Sequence, residues 1–269
     1  MREFTVNDRI TLAAKVAAGA MHVSAGPRDT ATVDVQPYDD SRGAREAAER
    51  TIVELRGDTL VVDAPKGTWR LMNRARIRVN VQLPDDSRLH VRLASADGVF
   101  QGRYGDSTVE TASGDIAVGH VAGQLRISSA SGDVRVDRVD GQLSVDTASG
   151  DIVIGSTGGE LAVSTASGDL TVAQAEASVR AQSASGDLRF GAVRRGTVRI
   201  HTASGDVRVG VPAGTSVWLD LVTASGSTRS DLDYLGDAGP AGGTPDLNLH
   251  VRTASGDIEL RRVNVPATA

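Results

Sequence analysis

Seven aspartates stand at the same place in a repeated corner: Asp115, Asp133, Asp151, Asp169, Asp187, Asp206 and Asp257, the first five following one another every 18 residues. Carboxylates held in a column have two kinds of chemistry open to them. They can accept hydrogen bonds from nearby backbone N–H groups, as Asp does beside Gly in turns. They can also share a divalent cation between neighbouring corners, Ca²⁺ above all, which takes roughly six to eight oxygens. On that second reading Asp115, Asp133, Asp151, Asp169, Asp187 and Asp206 are the metal candidates. The chain lacks the Gly-Gly-x-Gly-x-Asp nonapeptide of calcium-binding β-rolls, and capping is the preferred expectation, with no metal or other cofactor assigned. Like charges at the spacing of stacked strands repel by no more than about 1 kcal/mol per pair in a water-like dielectric, so a column is tolerable.

Other reactive groupings are thin. His22, His90, His120, His201 and His250 show no metal-ligand spacing, and no Gly-x-Ser-x-Gly or phosphate-loop sequence occurs. The histidines read as solvated surface groups. Arg194 and Arg195 with the Asp column could be pictured as a lyase or hydrolase site in a groove, but nothing places an acid and a base at a defined distance. No catalytic residue is assigned. A row of hydroxyls, Thr111, Ser129, Thr147, Thr165, Ser183, Thr202, Thr223 and Thr253, precedes each corner serine by two. Strand parity carried on from Leu125 and Ile127 turns Ser129 inward, so a hydroxyl ladder closing one end of the core is expected rather than an exposed ice-binding row.

The elements that must carry these residues follow from the period. In Ser113 to Ala130 the order is Gly114-Asp115, Ile116-x-Val118, a step to Val121, Gly123, then Leu125-x-Ile127. Two short strands with period-two alternation are separated by two turns. If each 18-residue repeat closes one coil, equivalent strands stack in parallel and each aliphatic lies on its counterpart. The fold class expected is all-β, a parallel β-solenoid of single-stranded β-helix type; an antiparallel meander of hairpins ranks second. One coil cannot bury its aliphatics alone, which accounts for the repetition. The expected organisation is a divergent set of coils or β cap over 1–93, a regular solenoid over 94–263 with a loop insertion at 236–246, and a tail over 264–269. Arg42 to Val53, rich in Ala, Glu and Arg, reads as a short helix or exposed excursion. The corner recurs in altered form as Ala94-Ser95-Ala96-Asp97 and Ala224-Ser225-Gly226-Ser227.

Composition narrows the functions. The formal charge of −5 spread over 269 residues gives no basic footprint for nucleic acid or an anionic membrane surface. Cysteine is absent, which removes disulfides and thiolate chemistry. No segment approaches the roughly 20 apolar residues that span a bilayer, and the N-terminal residues lack a signal-peptide pattern. As written the chain reads as cytoplasmic.

The corner Thr-Ala-Ser-Gly-Asp-Ile/Leu/Val at 18-residue spacing, preceded by a coil of Pro-x-Gly/Asp type, resembles the bacterial β-strand-repeat “putative adhesin” family, a domain of unknown function. The resemblance covers about residues 75–263. It implies a parallel β-solenoid without established catalytic residues, and an association of some members with the cell envelope. The function expected is a non-enzymatic structural or interaction scaffold that binds a protein or glycan partner through a flat coil face or the Gly236 to Pro245 loop. The alternatives are a glycan-active β-helix enzyme and a calcium-binding solenoid module. Self-association through solenoid edges is also expected if a cap is incomplete.

Overall fold

A strand that alternates aliphatic and polar residues needs another layer over its aliphatic face and strands on both edges. The computed structural model meets both needs by coiling; it describes residues 1–6, 8–64, 75–232 and 245–264. All described elements but one are strands. They fall into two compact units, Met1–Asp140 and Gly141–Ala269.

In the first unit the elements are β1 (Arg2–Thr5), β2 (Thr11–Gly26), β3 (Thr30–Pro37), α1 (Arg42–Arg50), β4 (Ile52–Arg56), β5 (Thr59–Asp63), β6 (Ile77–Pro84), β7 (Arg88–Tyr104), β8 (Ser107–Ser113), β9 (Ile116–Val121), β10 (Leu125–Ser131) and β11 (Val134–Val139). Strands β8 and β10 pair in parallel with Leu125 beside Ser107, and β9 with β11 with Val134 beside Ile116, the 18-residue register that the repeat predicts. The long β7 supplies a whole coil, pairing with β8 through one half and β9 through the other. On its far side β2 runs parallel to it from Thr11 beside Arg88 to Ser24 beside Gln101, and β5 and β6 lie parallel to the two halves of β2. Beyond them the pairing turns antiparallel: β4 on β5, β3 on β6 and β1 on β3. The Ala/Glu/Arg segment folds as α1. Ser41 caps it by accepting from the Ala44 N–H at 3.1 Å, and Ala44 and Ala47 are buried. Tyr104, fully buried, donates its hydroxyl to the carbonyls of Val23 at 2.9 Å and Gln101 at 2.8 Å, tying β7 to β2.

In the second unit the strands are β12 (Leu143–Ser149), β13 (Ile152–Thr157), β14 (Leu161–Ser167), β15 (Leu170–Ala175), β16 (Val179–Ser185), β17 (Leu188–Val193), β18 (Gly196–Ser204), β19 (Val207–Pro212), β20 (Val217–Ser225), β21 (Thr228–Ser230), β22 (Leu247–Ser255) and β23 (Ile258–Val263). Parallel pairing stacks like on like, so that Leu143, Leu161, Val179, Val198 and Leu249 form one inward row, each no more than 2% exposed. Of the hydroxyl row, Thr111, Ser129, Thr147, Thr165, Thr202 and Thr253 are buried as strand parity predicts, while Ser183 and Thr223 are half-buried. Thr147, Thr165 and Thr202 donate to the carbonyls of Ser149, Ser167 and Ser204, each at 3.0 Å.

Coil order departs from sequence order at this unit's end. Strand β18 pairs with β22, not with β20, and β20 lies on the other side of β22; β19, β23 and β21 follow the same order. The coil nearest the C-terminus is thus inserted between two that precede it. The physical reason lies in the corners, described below.

The Ser-Gly-Asp corners also need their glycine. Gly186 has φ +120°, and a Cβ there would lie 2.2 Å from the carbonyl oxygen of Gly168 in the coil behind. At Gly214, φ +83°, a Cβ would meet no atom within 4 Å. Gly214→Ala is therefore expected to cost about 1–2 kcal/mol from its dihedral alone, and Gly186→Ala about 3 kcal/mol or more because backbone must also move. Urea denaturation of the two variants checks this; equal losses would show that the corners are not in close contact.

Candidate interaction surfaces and the corner ladder

Parallel strands bond their N–H and C=O groups alternately to the coil ahead and the coil behind, and at a corner this alternation loses a partner. Around Asp187 the Gly186 and Leu188 N–H groups reach forward to the carbonyls of Ser204 at 3.2 Å and Asp206 at 2.9 Å. The Asp187 N–H points back, and it is met by a carboxylate, Asp169 Oδ1, at 2.9 Å. The same bond recurs from Asp115 to Asp97 at 3.1 Å and from Asp133 to Asp115 at 2.9 Å in the first unit. In the second it runs from Asp169 to Asp151 at 2.9 Å, Asp206 to Asp187 at 3.0 Å, and Asp257 to Asp206 at 2.9 Å. Each carboxylate caps the next coil's amide.

The ladder has a direction, and it accounts for the coil order. The capping bond runs one way: a corner with a carboxylate caps the coil ahead of it, and a corner without one does not. The Asp257 carboxylate receives the Ser227 N–H at 2.8 Å. Ser227 has no carboxylate to pass on, so its coil belongs last, and the Asp257 coil fits between it and Asp206. At the opposite corner Asp246 holds the Ser216 N–H at 3.0 Å and its hydroxyl at 2.7 Å. In the first unit Ala20 stands beside Asp97 in register, and alanine offers no cap. Ladder capping there begins with Asp97.

Two arginines, each two residues beyond a corner, pair with Asp169, Asp187 and Asp206 of the column. Arg189 spans Asp169 at 3.1 Å and Asp187 at 2.5 Å, while Arg208 reaches Asp206 at 3.1 Å and Glu259 at 3.4 Å. The Asp187 N–H, then the Arg189 guanidinium, hold the Asp169 carboxyl below the usual carboxylate range. Ser227 does the same for Asp257 through its N–H and side chain. A crevice of about 60 Å³ beside Asp206 and Asp257 is shared with Arg208, Arg229 and Glu259, space for a couple of waters at roughly 30 Å³ each. Among the described residues no group of three or more His, Cys, Asp and Glu is gathered closely enough to hold a metal ion.

Arg194 and Arg195 do not join this column. Arg194 pairs with Glu176 at 2.9 Å, and Arg195 donates to the Glu176 carbonyl at 3.2 Å. Two histidines that read as solvated have carboxylate partners: His120 with Asp140 at 2.8 Å, and His250 with Asp220 at 3.3 Å.

One hollow is a feature that sequence reading missed. It measures about 330 Å³ and lies on the outward face of β5, β2, β7 and β8. Register builds it in two rows: Val61, Ala13, His90 and Thr108, then Asp63, Lys15, Arg92 and Glu110. The small Ala13 between Val61 and His90 makes the depression, and the second row rims it with two cations, Lys15 and Arg92, between two carboxylates, Asp63 and Glu110. Arg92 is tied to Glu110 at 3.0 Å. The alternation of Arg88, His90 and Arg92 was a visible signal of an outward face; the arrival of β2 and β5 beside it was not, because those pairings span most of the unit.

Residues 27–261, which include these corners, match the Toastrack DUF4097 family. The chain belongs to that family. No curated protein matches it. The Toastrack chain is similar to three solved structures in particular. A “putative adhesin” from Bacteroides fragilis has 10% identity, coverage of 97% of this chain and 95% of that one, and a TM-score of 0.44. A “putative cell adhesion protein” from Clostridium sporogenes has 11% identity, coverage of 97% and 98%, and a TM-score of 0.25. A “putative lipid binding protein” from Parabacteroides distasonis has 10% identity, coverage of 97% and 95%, and a TM-score of 0.31. Among the described residues no helix is long and apolar enough to cross a membrane. The Gly236 to Pro245 loop, apart from Pro245, lies outside the described residues.

Two outcomes test the Toastrack ladder. Asp169→Ala leaves the Asp187 N–H without its acceptor and should lower stability by about 1–2 kcal/mol, with Asp169→Asn, which keeps an acceptor oxygen, losing less; equal losses in urea titrations would contradict amide capping. Because the carboxyls of Asp169 and Asp257 sit below their unfolded value of about 3.9, their contribution is present above that value and is lost as pH falls through the folded ones. Melting temperature should hold from neutrality down to about pH 5 and drop below about pH 4. A decline that begins near neutrality would contradict it.

Proposed function

We propose that the protein is a non-enzymatic interaction scaffold that binds a macromolecular partner, a protein or a glycan, on its outward coil faces, with the Ala13 groove as the contact site. The corner carboxylates serve as amide caps, not as metal ligands or catalytic acids. The observation that carries this reading is the engagement of those carboxylates with the chain's own backbone at corner after corner. Catalysis needs a distinct set of unlike groups at one place, and the repeated groups are already bonded to each other's coils. The groove differs from the corners in kind. Its floor is small and apolar, and its rim of Asp63, Lys15, Arg92 and Glu110 offers both donors and acceptors to a polar partner.

Screening the purified protein on polysaccharide substrates and on glycan and protein binding panels tests the reading. The expected result is no turnover, and a binding signal that Ala13→Leu, which fills the groove, or Lys15→Glu, which reverses its free charge, abolishes without changing the melting temperature. A turnover lost in Asp169→Asn or Arg189→Ala would overturn it in favour of a glycan-active enzyme. A melting temperature raised by Ca²⁺ and lowered by chelator would overturn the capping role.

A further inference from the structure

The last coil of the second unit is built in two unlike halves. In β21, Thr228 and Ser230 stand where the neighbouring β23 has the buried Ile258 and Leu260. That is the substitution expected of a strand whose inner face meets water at an open end. Strand β20 has made no such change. Its inward positions are Val217, Leu219 and Leu221, beside the fully buried Leu247, Leu249 and Val251 of β22. Leu219 is 36% exposed, against 0% for Leu249 next to it. Trp218 and Val222, on the outer face of the same strand, are each 48% exposed. Three of the exposed large apolar side chains among the described residues thus share one strand.

Among the described residues the edge is open as well as apolar. Strand β20 pairs with β22 on one side, and no described strand lies on the other. An unpaired edge nine residues long is a template for another strand. In the first unit the corresponding outer coil, β5 and β6, is covered by antiparallel β4 and β3, and the edges left there belong to short strands. Among the described residues, ordinary edge protection is therefore present in the first unit and missing at β20.

We propose that β20 is the contact between two copies of this chain, paired antiparallel about Leu221 across a two-fold axis. The strand is complementary to itself in that register. On the inner face Leu221 meets its own counterpart and Leu219 meets Thr223, which continues the buried rows by one more layer. On the outer face Trp218 lies beside the small Ala224, and Asp220 beside Val222, so no like charges face each other. The Asp220 carboxylate is already engaged by His250 at 3.3 Å and Arg252 at 3.6 Å. An antiparallel two-fold contact also closes on itself, so the edge is consumed in a dimer and does not propagate into a fibre. This inference is separate from the groove reading and can fail without it.

Analytical ultracentrifugation over a concentration series, with single-cysteine crosslinking, tests the proposal. The chain has no cysteine of its own, so Leu221→Cys introduces a unique thiol. The wild type should sediment at twice the chain mass, and Leu221→Cys should form a disulfide-linked dimer on mild oxidation. Leu219→Lys places a charge in the paired edge and should weaken the dimer by about tenfold or more, with its circular dichroism unchanged because that side chain is already partly exposed. Val153→Lys, on an outward face elsewhere in the unit, should leave the dimer intact. A wild type that stays monomeric at high concentration would overturn the proposal, including the case in which an added extended peptide occupies the edge instead. A dimer that Leu219→Lys leaves unchanged, or that Leu221→Cys does not crosslink, would also overturn it.

Discussion

The bond from each corner amide back to the carboxylate of the coil behind it is the interaction on which the rest of the structure depends. Parallel strands lie about 4.8 Å apart, and a corner that must repeat at that spacing leaves no room for a Cβ between successive turns. Glycine solves the space problem, as the 2.2 Å approach at Gly186 shows, but the tight turn leaves the next residue's N–H facing a coil whose carbonyls are already used. Aspartate solves that second problem with an acceptor on a short side chain. Gly-Asp is thus a single device, and at Thr147, Thr165 and Thr202 the preceding Thr-Ala-Ser completes it with a buried hydroxyl that bonds the serine carbonyl.

Because the device is directional it also orders the coils. A coil without the carboxylate can receive a cap and cannot give one. This is why the Ser227 coil stands at an end and why a coil later in the sequence is threaded in before it. The same logic separates structural charge from functional surface. The Asp column and its arginines hold one another in exposed pairs that contribute little individually, about 0–1 kcal/mol each. The groove around Ala13 and the apolar edge of β20 lie outside the corner column and are the two surfaces proposed to meet other molecules.

Much of this was legible in the sequence, for a specific reason. Within each unit the pairing partners of the regular coils are one period away, so a fixed spacing of near-identical corners states both register and facing. The inward turn of the hydroxyl row followed from parity alone. What spacing could not show was any pairing that breaks the period. Strand β2 lies between β7 and the pair β5 and β6, and β22 lies between β18 and β20. The groove depends on the first of these and the open edge on the second. A clue to the second was nonetheless present: Ser227 replaces aspartate, and Thr228 and Ser230 replace aliphatics, in the one coil that ends the ladder.

The central claim, that corner carboxylates hold the coils together by capping amides, is tested most directly by native-state hydrogen exchange resolved to single amides. The N–H groups of Asp115, Asp133, Asp169, Asp187, Asp206 and Asp257 lie at exposed turns, where an uncapped amide would exchange as a loop does. Protection of these amides to the level of the flanking strands, lost at Asp187 alone when Asp169 is replaced by alanine, is the result expected. Exchange at loop rates in the unaltered protein would contradict it.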